Sequence, residues 1–135
     1  PTTSSAASDV YKRQAFVAET DAKAKELSED GITHHMKSFM AGGSKTGGYL
    51  GDISDKNDTS QFAYDKLAAD TLLHGSPDTI LRKIEEFKAV GTTSLVLHYP
   101  PYYGQERTVE MLRLFAKEVL PHIQAMDVPR LIAAE

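Results

Sequence analysis

The sequence predicts an α/β fold with a short parallel sheet, and three observations lead to this prediction. Apolar extended segments alternate with segments of helical periodicity, and such alternation with short connections implies parallel strands joined by right-handed crossovers. Residues 94–99 (SLVLHY) are almost continuously apolar, which predicts a strand buried on both faces. The 135 residues are 41% hydrophobic and 25% charged, a composition typical of globular domains.

The first strand–helix unit begins with the apolar run at residues 15–18 (AFVA). Thr20 suits an N-cap, and Asp21 suits the positive end of a helix dipole. Apolar residues then recur near helical spacing as far as Met40, although Gly31 weakens the pattern. Residues 41–60 hold five of the nine glycines and show no periodicity, so they predict a loop of about twenty residues.

Two more strand–helix units follow the loop. A helix is predicted at about residues 61–69, an extended segment at 71–74, and a helix that starts with Ser76 as N-cap and Pro77 in its first turn and ends at Gly91. After the strand at 94–99 and a turn at 100–104, a last helix is predicted at about 106–120, ending at Pro121. Its predicted apolar face consists of Val109, Leu112, Phe115, Ala116 and Val119. Three strands cannot close a barrel, so the sheet is expected to be incomplete.

Charge and composition exclude several classes of function. A net charge of -4 and a pI near 5.7 argue against binding to nucleic-acid phosphates. The chain has no cysteine, which excludes disulfides, cysteine-based metal sites and a thiol nucleophile. No apolar run approaches the roughly 18 residues of a membrane span, and no secretory signal pattern is present. We therefore expect a cytoplasmic domain that binds neither nucleic acid nor membrane.

The start of the chain looks foreign to the fold. Residues 1–8 are small and polar, and residues 9–14 (DVYKRQ) resemble the in-frame translation of a transposase mosaic-end sequencing adapter. A natural flexible terminus is the alternative. We expect residues 1–14 to be disordered and non-native, and residues 15–135 to be the native part.

Three motifs resemble the bacterial luciferase-like monooxygenase family. Residues 16–24 (FVAETDAKA) resemble its FVAETDxxA segment, and residues 75–80 (GSPDTI) resemble its GSPDT helix start. Residues 95–98 (LVLH) and 107–121, with Arg107-Thr108, Leu114-Phe115-Ala116 and Glu118-Val119-Leu120-Pro121, resemble its last strand and helix. The resemblance implies the C-terminal portion of a (β/α)8 TIM barrel, about βα units 6–8, from an enzyme that uses reduced FMN or a deazaflavin coenzyme.

In such barrels the chemistry lies at the carboxyl ends of the strands. Gly75 and Ser76 are therefore candidates for cofactor binding, because free N–H groups at a helix start favour a phosphate or carboxylate. The alternative is that Ser76 only caps its helix.

His98 is the candidate catalytic residue, since a histidine at a barrel mouth can hydrogen-bond a flavin or pass a proton near neutral pH. His74, Tyr99 and Tyr102 are candidate substrate contacts. The alternative is a hydrogen-bonded histidine at a strand end, with tyrosines that only cover the rim.

The remaining polar clusters are weaker candidates for a functional site. His34 and His35 are adjacent, point about 100° apart on a helix and are interpreted as helix surface, so no metal site is predicted. The glycine-rich stretch 42–48 lacks the order of a phosphate-binding loop. Lys45, Tyr49 and Leu50 either belong to a lid over the substrate or lie in a plain loop.

The sequence therefore favours a fragment of a flavin-dependent monooxygenase that oxidises a small organic substrate with reduced FMN and O2, inactive by itself because the barrel mouth is incomplete. Two alternatives stay open: deazaflavin-dependent hydride transfer, and a small α/β binding module without catalysis. Against the module, the turn at residues 19–21 has no glycine to admit a phosphate, and the sheet would expose two apolar edges. Homodimers are common in the resembled family.

Overall fold

The structure is a computed structural model that describes residues 10–41 and 63–126. Its elements, in chain order, are β1 (Val10–Val17), α1 (Asp21–Ala41), α2 (Tyr64–Asp70), β2 (Leu73–Gly75), α3 (Pro77–Ala89), β3 (Ser94–His98), a 3-10 turn (Pro101–Tyr103), α4 (Gln105–Glu118) and α5 (Leu120–Ala125). This order confirms the predicted alternation of strands and helices. Residues 42–48 and the candidate lid residues Lys45, Tyr49 and Leu50 lie outside the described ranges.

The three strands are parallel, as predicted, and their order in the sheet is β2-β1-β3. The central strand uses different halves for its two neighbours: residues 10–14 pair with residues 94–98, and residues 15–17 pair with residues 73–75. Consecutive βα units of a barrel would instead place β2 between β1 and β3. The strand order therefore differs from a regular arc of a TIM barrel, and the described residues form a small mixed α/β unit. The assignment to βα units 6–8 of a barrel stays a prediction.

The expectation that residues 1–14 are disordered is wrong for residues 10–14, which form the first half of β1. This half-strand provides the five backbone pairs that hold β3. β2 is only three residues long and lies at the other edge of the sheet, so it offers β3 fewer backbone partners than the first half of β1 does. The adapter origin of residues 9–14 stays a prediction.

β3 is also more exposed than its apolar sequence predicts. As an edge strand it has one neighbour, and its residues alternate between exposed and half-buried positions. Leu95 and Leu97 pack against the core, whereas Val96, on the opposite face, is 43% exposed. The prediction of burial on both faces is wrong because no layer covers the second face within the described ranges.

Helix starts and the core follow the sequence closely. The Thr20 hydroxyl accepts from the Lys23 N–H at 3.1 Å, and the Ser76 hydroxyl accepts from the Thr79 N–H at 3.3 Å, so both N-caps are confirmed. The buried core contains apolar side chains from most elements, and β3 and α5 add only partly buried ones. The largest of its fully buried side chains include Phe16, Ile32, Leu67, Leu73, Ile80 and Val119.

Gly31 does not interrupt α1, and packing explains its presence. A Cβ at Gly31 would lie 2.6 Å from Cδ1 of Tyr103, so only glycine lets the turn after β3 approach the helix this closely. This contact fixes the 3-10 turn against the middle of α1.

The last helical segment departs from the prediction at its end. α4 stops at Glu118, the chain bends at Val119, and Pro121 lies in the first turn of α5 instead of ending the helix. Met111 and Val119 are buried, whereas Val109 and Leu112 of the predicted apolar face are exposed. None of the helices in residues 10–41 and 63–126 is long and apolar enough to cross a bilayer.

Candidate functional site

The predicted site residues do not meet at one edge of the sheet, because the strands end at different heights. Gly75, at the end of β2, is level with Val17 of β1, whereas His98, at the end of β3, is level with Gln14. Three residues of strand correspond to about 10 Å. Gly75 and Ser76 therefore form one group, and His98 and Tyr102 form another.

The second group is a cluster around Gln14, which is itself buried. The amide of Gln14 lies between two imidazoles: its Oε1 is 3.1 Å from Nδ1 of His98, and its Nε2 is 3.3 Å from Nε2 of His35. An amide oxygen only accepts and an amide nitrogen only donates. With this amide orientation, His98 carries a proton on Nδ1, and His35 accepts at Nε2.

Aromatic contacts extend the cluster to Tyr102. The ring of Tyr102 lies edge-on to His34 with centroids 4.4 Å apart, and 5.8 Å from the ring of His35. His35 and His98 are 6.4 Å apart, ring to ring. Burial lowers the pKa of His35, and the neighbouring imidazoles of His98 and His34 lower it further.

The interpretation of His34 and His35 as plain helix surface is thus wrong for His35, which is half-buried beside His98. Sequence reasoning missed this contact because the two histidines lie on different elements, far apart in the chain. The only signal was their shared residue type. Tyr99 is 44% exposed on the chain that leaves β3, and its role as a substrate contact stays a prediction.

His74 lies in the interior, with 2% of its surface exposed. Its Nδ1 is 3.0 Å from the Ser28 hydroxyl and 3.3 Å from the Tyr64 hydroxyl, and its Nε2 is 3.1 Å from the Tyr103 hydroxyl. Ser28 already donates its proton to the Ala24 carbonyl at 2.6 Å. His74 Nδ1 therefore donates to Ser28, and its Nε2 accepts from Tyr103.

His74 is held in its neutral form by its surroundings. Burial, and next the positive charge of Lys83, lower the pKa of His74 to about 3, and burial raises the pKa of both Tyr64 and Tyr103. Both ring nitrogens are engaged with protein hydroxyls from α1, α2 and the 3-10 turn. This arrangement suits a structural role, in which His74 connects these three elements through hydrogen bonds. The predicted contact of His74 with substrate stays a prediction.

Gly75 and Ser76 form a helix start whose anion position is filled from within the chain. The Ser76 N–H donates to Oδ1 of Asp21 at 2.7 Å, and the Thr79 hydroxyl donates to Oδ2 at 3.0 Å. The capping alternative for Ser76 is confirmed. An internal carboxylate therefore holds the Ser76 N–H, a donor that a phosphate at this helix start would use, and the cofactor-binding role of Gly75 and Ser76 stays a prediction.

No cluster of three or more histidine, aspartate or glutamate side chains in the described part of the chain is arranged to hold a metal ion. Among the site residues predicted from the sequence, the exposed ones are His98, Tyr99 and Tyr102.

No family model matches the chain, and no curated protein matches it. Among solved structures, it is similar to the oxygenating constituent of 3,6-diketocamphane monooxygenase from the CAM plasmid of Pseudomonas putida, a type II Baeyer–Villiger monooxygenase in complex with FMN. The match has a TM-score of 0.62 and 26% sequence identity, and it covers 89% of this chain but 34% of the enzyme, so the chain spans about a third of that protein's length. Over most of its length, the chain is therefore similar in fold to a part of that FMN-bound monooxygenase.

Proposed function

We propose that this chain is the C-terminal part of a luciferase-like monooxygenase that oxidises a small organic substrate, carbonyl compounds being the first class to test, with reduced FMN and O2. The observation that carries the proposal is the structural similarity to an FMN-bound monooxygenase over 89% of the chain. Three sequence motifs, at residues 16–24, 75–80 and 95–121, point independently to the same family.

Within that protein, the described residues would contribute part of the rim of the active site. His98 donates its Nδ1 proton to Gln14, so Nε2 is the nitrogen of this exposed imidazole that remains to accept or hold a proton. Tyr102, held edge-on against His34, adds a partly exposed ring beside it. The phosphate of FMN would be held by the other two thirds of the enzyme, because Asp21 already holds the Ser76 N–H at the start of α3.

The first experiment is recovery of the DNA upstream of the codon for Ala15 from the source genome. We expect an open reading frame that enters Ala15 in frame and encodes further strand–helix units. A stop codon or an unrelated domain directly before Ala15 would contradict the proposal.

The second experiment uses the complete protein. We expect reduced FMN to support oxygen-dependent turnover, and His98→Gln to lower kcat/KM by about a hundredfold, the usual loss for a general acid or base. His122→Gln is the matched control, because His122 is exposed on α5. Turnover with a deazaflavin coenzyme and not with FMN would assign the protein to hydride transfer, and a protein that binds neither coenzyme would contradict the proposal.

A further inference from the structure

The start of α3 is joined to the start of α1 by one side chain, Asp21. Its carboxylate accepts from the Ser76 N–H at 2.7 Å and from the Thr79 hydroxyl at 3.0 Å. Ser76 and Thr79 also bond each other, with hydroxyls 3.2 Å apart. Both oxygens of Asp21 are therefore engaged by the first turn of the neighbouring helix.

The backbone around this carboxylate is closed to larger groups. Gly75 has a φ of 144°, and a Cβ there would lie 2.6 Å from Oδ1 of Asp21 and 2.8 Å from Cγ2 of Thr79. The carboxylate rests directly against the main chain that would otherwise face a phosphate. Glycine is required at this position by the close approach and by its positive φ.

Charge acts in the same direction as the packing. The Ser76 N–H is the largest cause that lowers the pKa of Asp21, and the Thr79 and Ser76 hydroxyls lower it further against the opposing effect of burial. Asp21 is therefore ionised at neutral pH and supplies the negative charge that the helix start favours. A phosphate brought to the same N–H would meet this negative charge at close range.

We propose that Asp21 is the resident anion of the α3 start, that it excludes phosphate from Gly75 and Ser76, and that its role is to hold the turns after β1 and β2 together. The inference does not depend on the proposed function, because inorganic phosphate is a sufficient probe.

The test follows the amide resonance of Ser76 in this chain by NMR during titration with inorganic phosphate, with sodium chloride of equal ionic strength as reference. We expect no saturable shift of Ser76 in the unmodified protein. A saturable shift at Ser76 that chloride does not reproduce would overturn the inference.

Two variants test the role of Asp21 directly. Asp21→Ala should raise hydrogen exchange of the Ser76 amide by about tenfold or more, because a bond to a charged acceptor is lost. Asp78→Ala is the matched control, since Asp78 lies in the same first turn but is exposed and makes no hydrogen bond to Ser76. Unchanged exchange in Asp21→Ala, or an equal rise in Asp78→Ala, would contradict the inference. If Asp21→Ala does not fold, Asp21→Asn replaces it, because the amide keeps the size of the side chain and removes its charge. Exchange of the Ser76 amide should still rise at neutral pH, since a bond to a charged acceptor is lost, and unchanged exchange would contradict the inference.

Discussion

His74 and His98 look equivalent in the sequence, since each follows apolar residues of a strand. Their surroundings differ completely: His74 is enclosed by Ser28, Tyr64 and Tyr103, whereas His98 is exposed and touches Gln14. A buried imidazole with both nitrogens bonded is a neutral structural group. An exposed imidazole with one remaining nitrogen is available to a ligand, which is why the proposed catalytic role is given to His98 and not to His74.

The depressed pKa of His74 predicts loss of stability in mild acid. The unfolded state takes up a proton near the ordinary pKa of 6.5 and the folded state only near 3, so the stabilisation is complete above pH 6.5 and falls as the pH is lowered through this window. The slope for one proton is about 1.4 kcal/mol per pH unit, so His74 alone should lower the free energy of unfolding by about 2 kcal/mol between pH 6.5 and pH 5. His35, whose pKa is also lowered, adds to this loss. Tyr64 and Tyr103 keep their protons throughout, because their pKa values are raised. Urea unfolding followed by circular dichroism over this pH range measures the effect.

His74→Gln is the variant that isolates this residue, since glutamine can bond the same hydroxyls but does not titrate. It should be less stable at pH 7.5 and should show a slope reduced by about one proton between pH 6.5 and pH 4. His122→Gln, on the exposed surface of α5, should keep the full slope. A slope that is the same in all three proteins would refute the assignment of the buried neutral histidine.

Among the elements, β1 is the one on which the sheet depends. Its second half, which includes Phe16 and Val17, lies in the core, and its first half pairs with β3. Helix starts were predictable from local residue patterns at Thr20 and Ser76, because a cap is a contact within one turn. The pairing of β3 with residues 10–14 is a contact between distant parts of the chain, and no local pattern reports it.

Removal of residues 1–14 should release β3 and leave the other edge of the sheet in place. Residues 94–98 lose all five of their pairs with β1, whereas residues 73–75 keep their pairs with residues 15–17. We expect hydrogen–deuterium exchange of the backbone amides in residues 94–98 to approach the rate of amides without hydrogen bonds. Exchange at residues 73–75 should change little. Removal of residues 1–9 alone is the control and should leave β3 protected. Equal protection of β3 in both truncated proteins would show that another partner holds it.

At the scale of the whole molecule, the described surface has an uncovered apolar side next to β3. Val96 is exposed on one face, and the other face borders an open groove of about 240 Å³. The lining of this groove is mostly apolar and includes Ile84, Phe87, Leu95, Leu97, Phe115 and Ile123. An exposed strand edge next to apolar surface favours association with other chains.

The chain of residues 1–135 in isolation, in which β3 keeps its pairs with residues 10–14, should therefore self-associate through the face of β3. Val96→Lys places a charge on the exposed face of the edge strand and should lower the apparent mass measured by light scattering after gel filtration. Val90→Lys is the matched control, because Val90 is 72% exposed at the end of α3 and is not part of β3. If the unmodified chain is monomeric and unfolds cooperatively, this prediction is contradicted and the alternative of an independent binding module is favoured.

The sequence by itself determined the alternation of strands and helices, the two N-caps and most of the core, because these depend on periodicity and on contacts within one helical turn. It also carried the family resemblance, which the structural similarity to an FMN-bound monooxygenase supports at the level of the fold. Only the tertiary structure decided which histidine is buried, which carboxylate fills the start of α3 and which strand is central. These features depend on residues distant in the chain, such as Asp21 and Ser76 or His35 and His98, and their distances follow from how the elements pack and not from any local pattern.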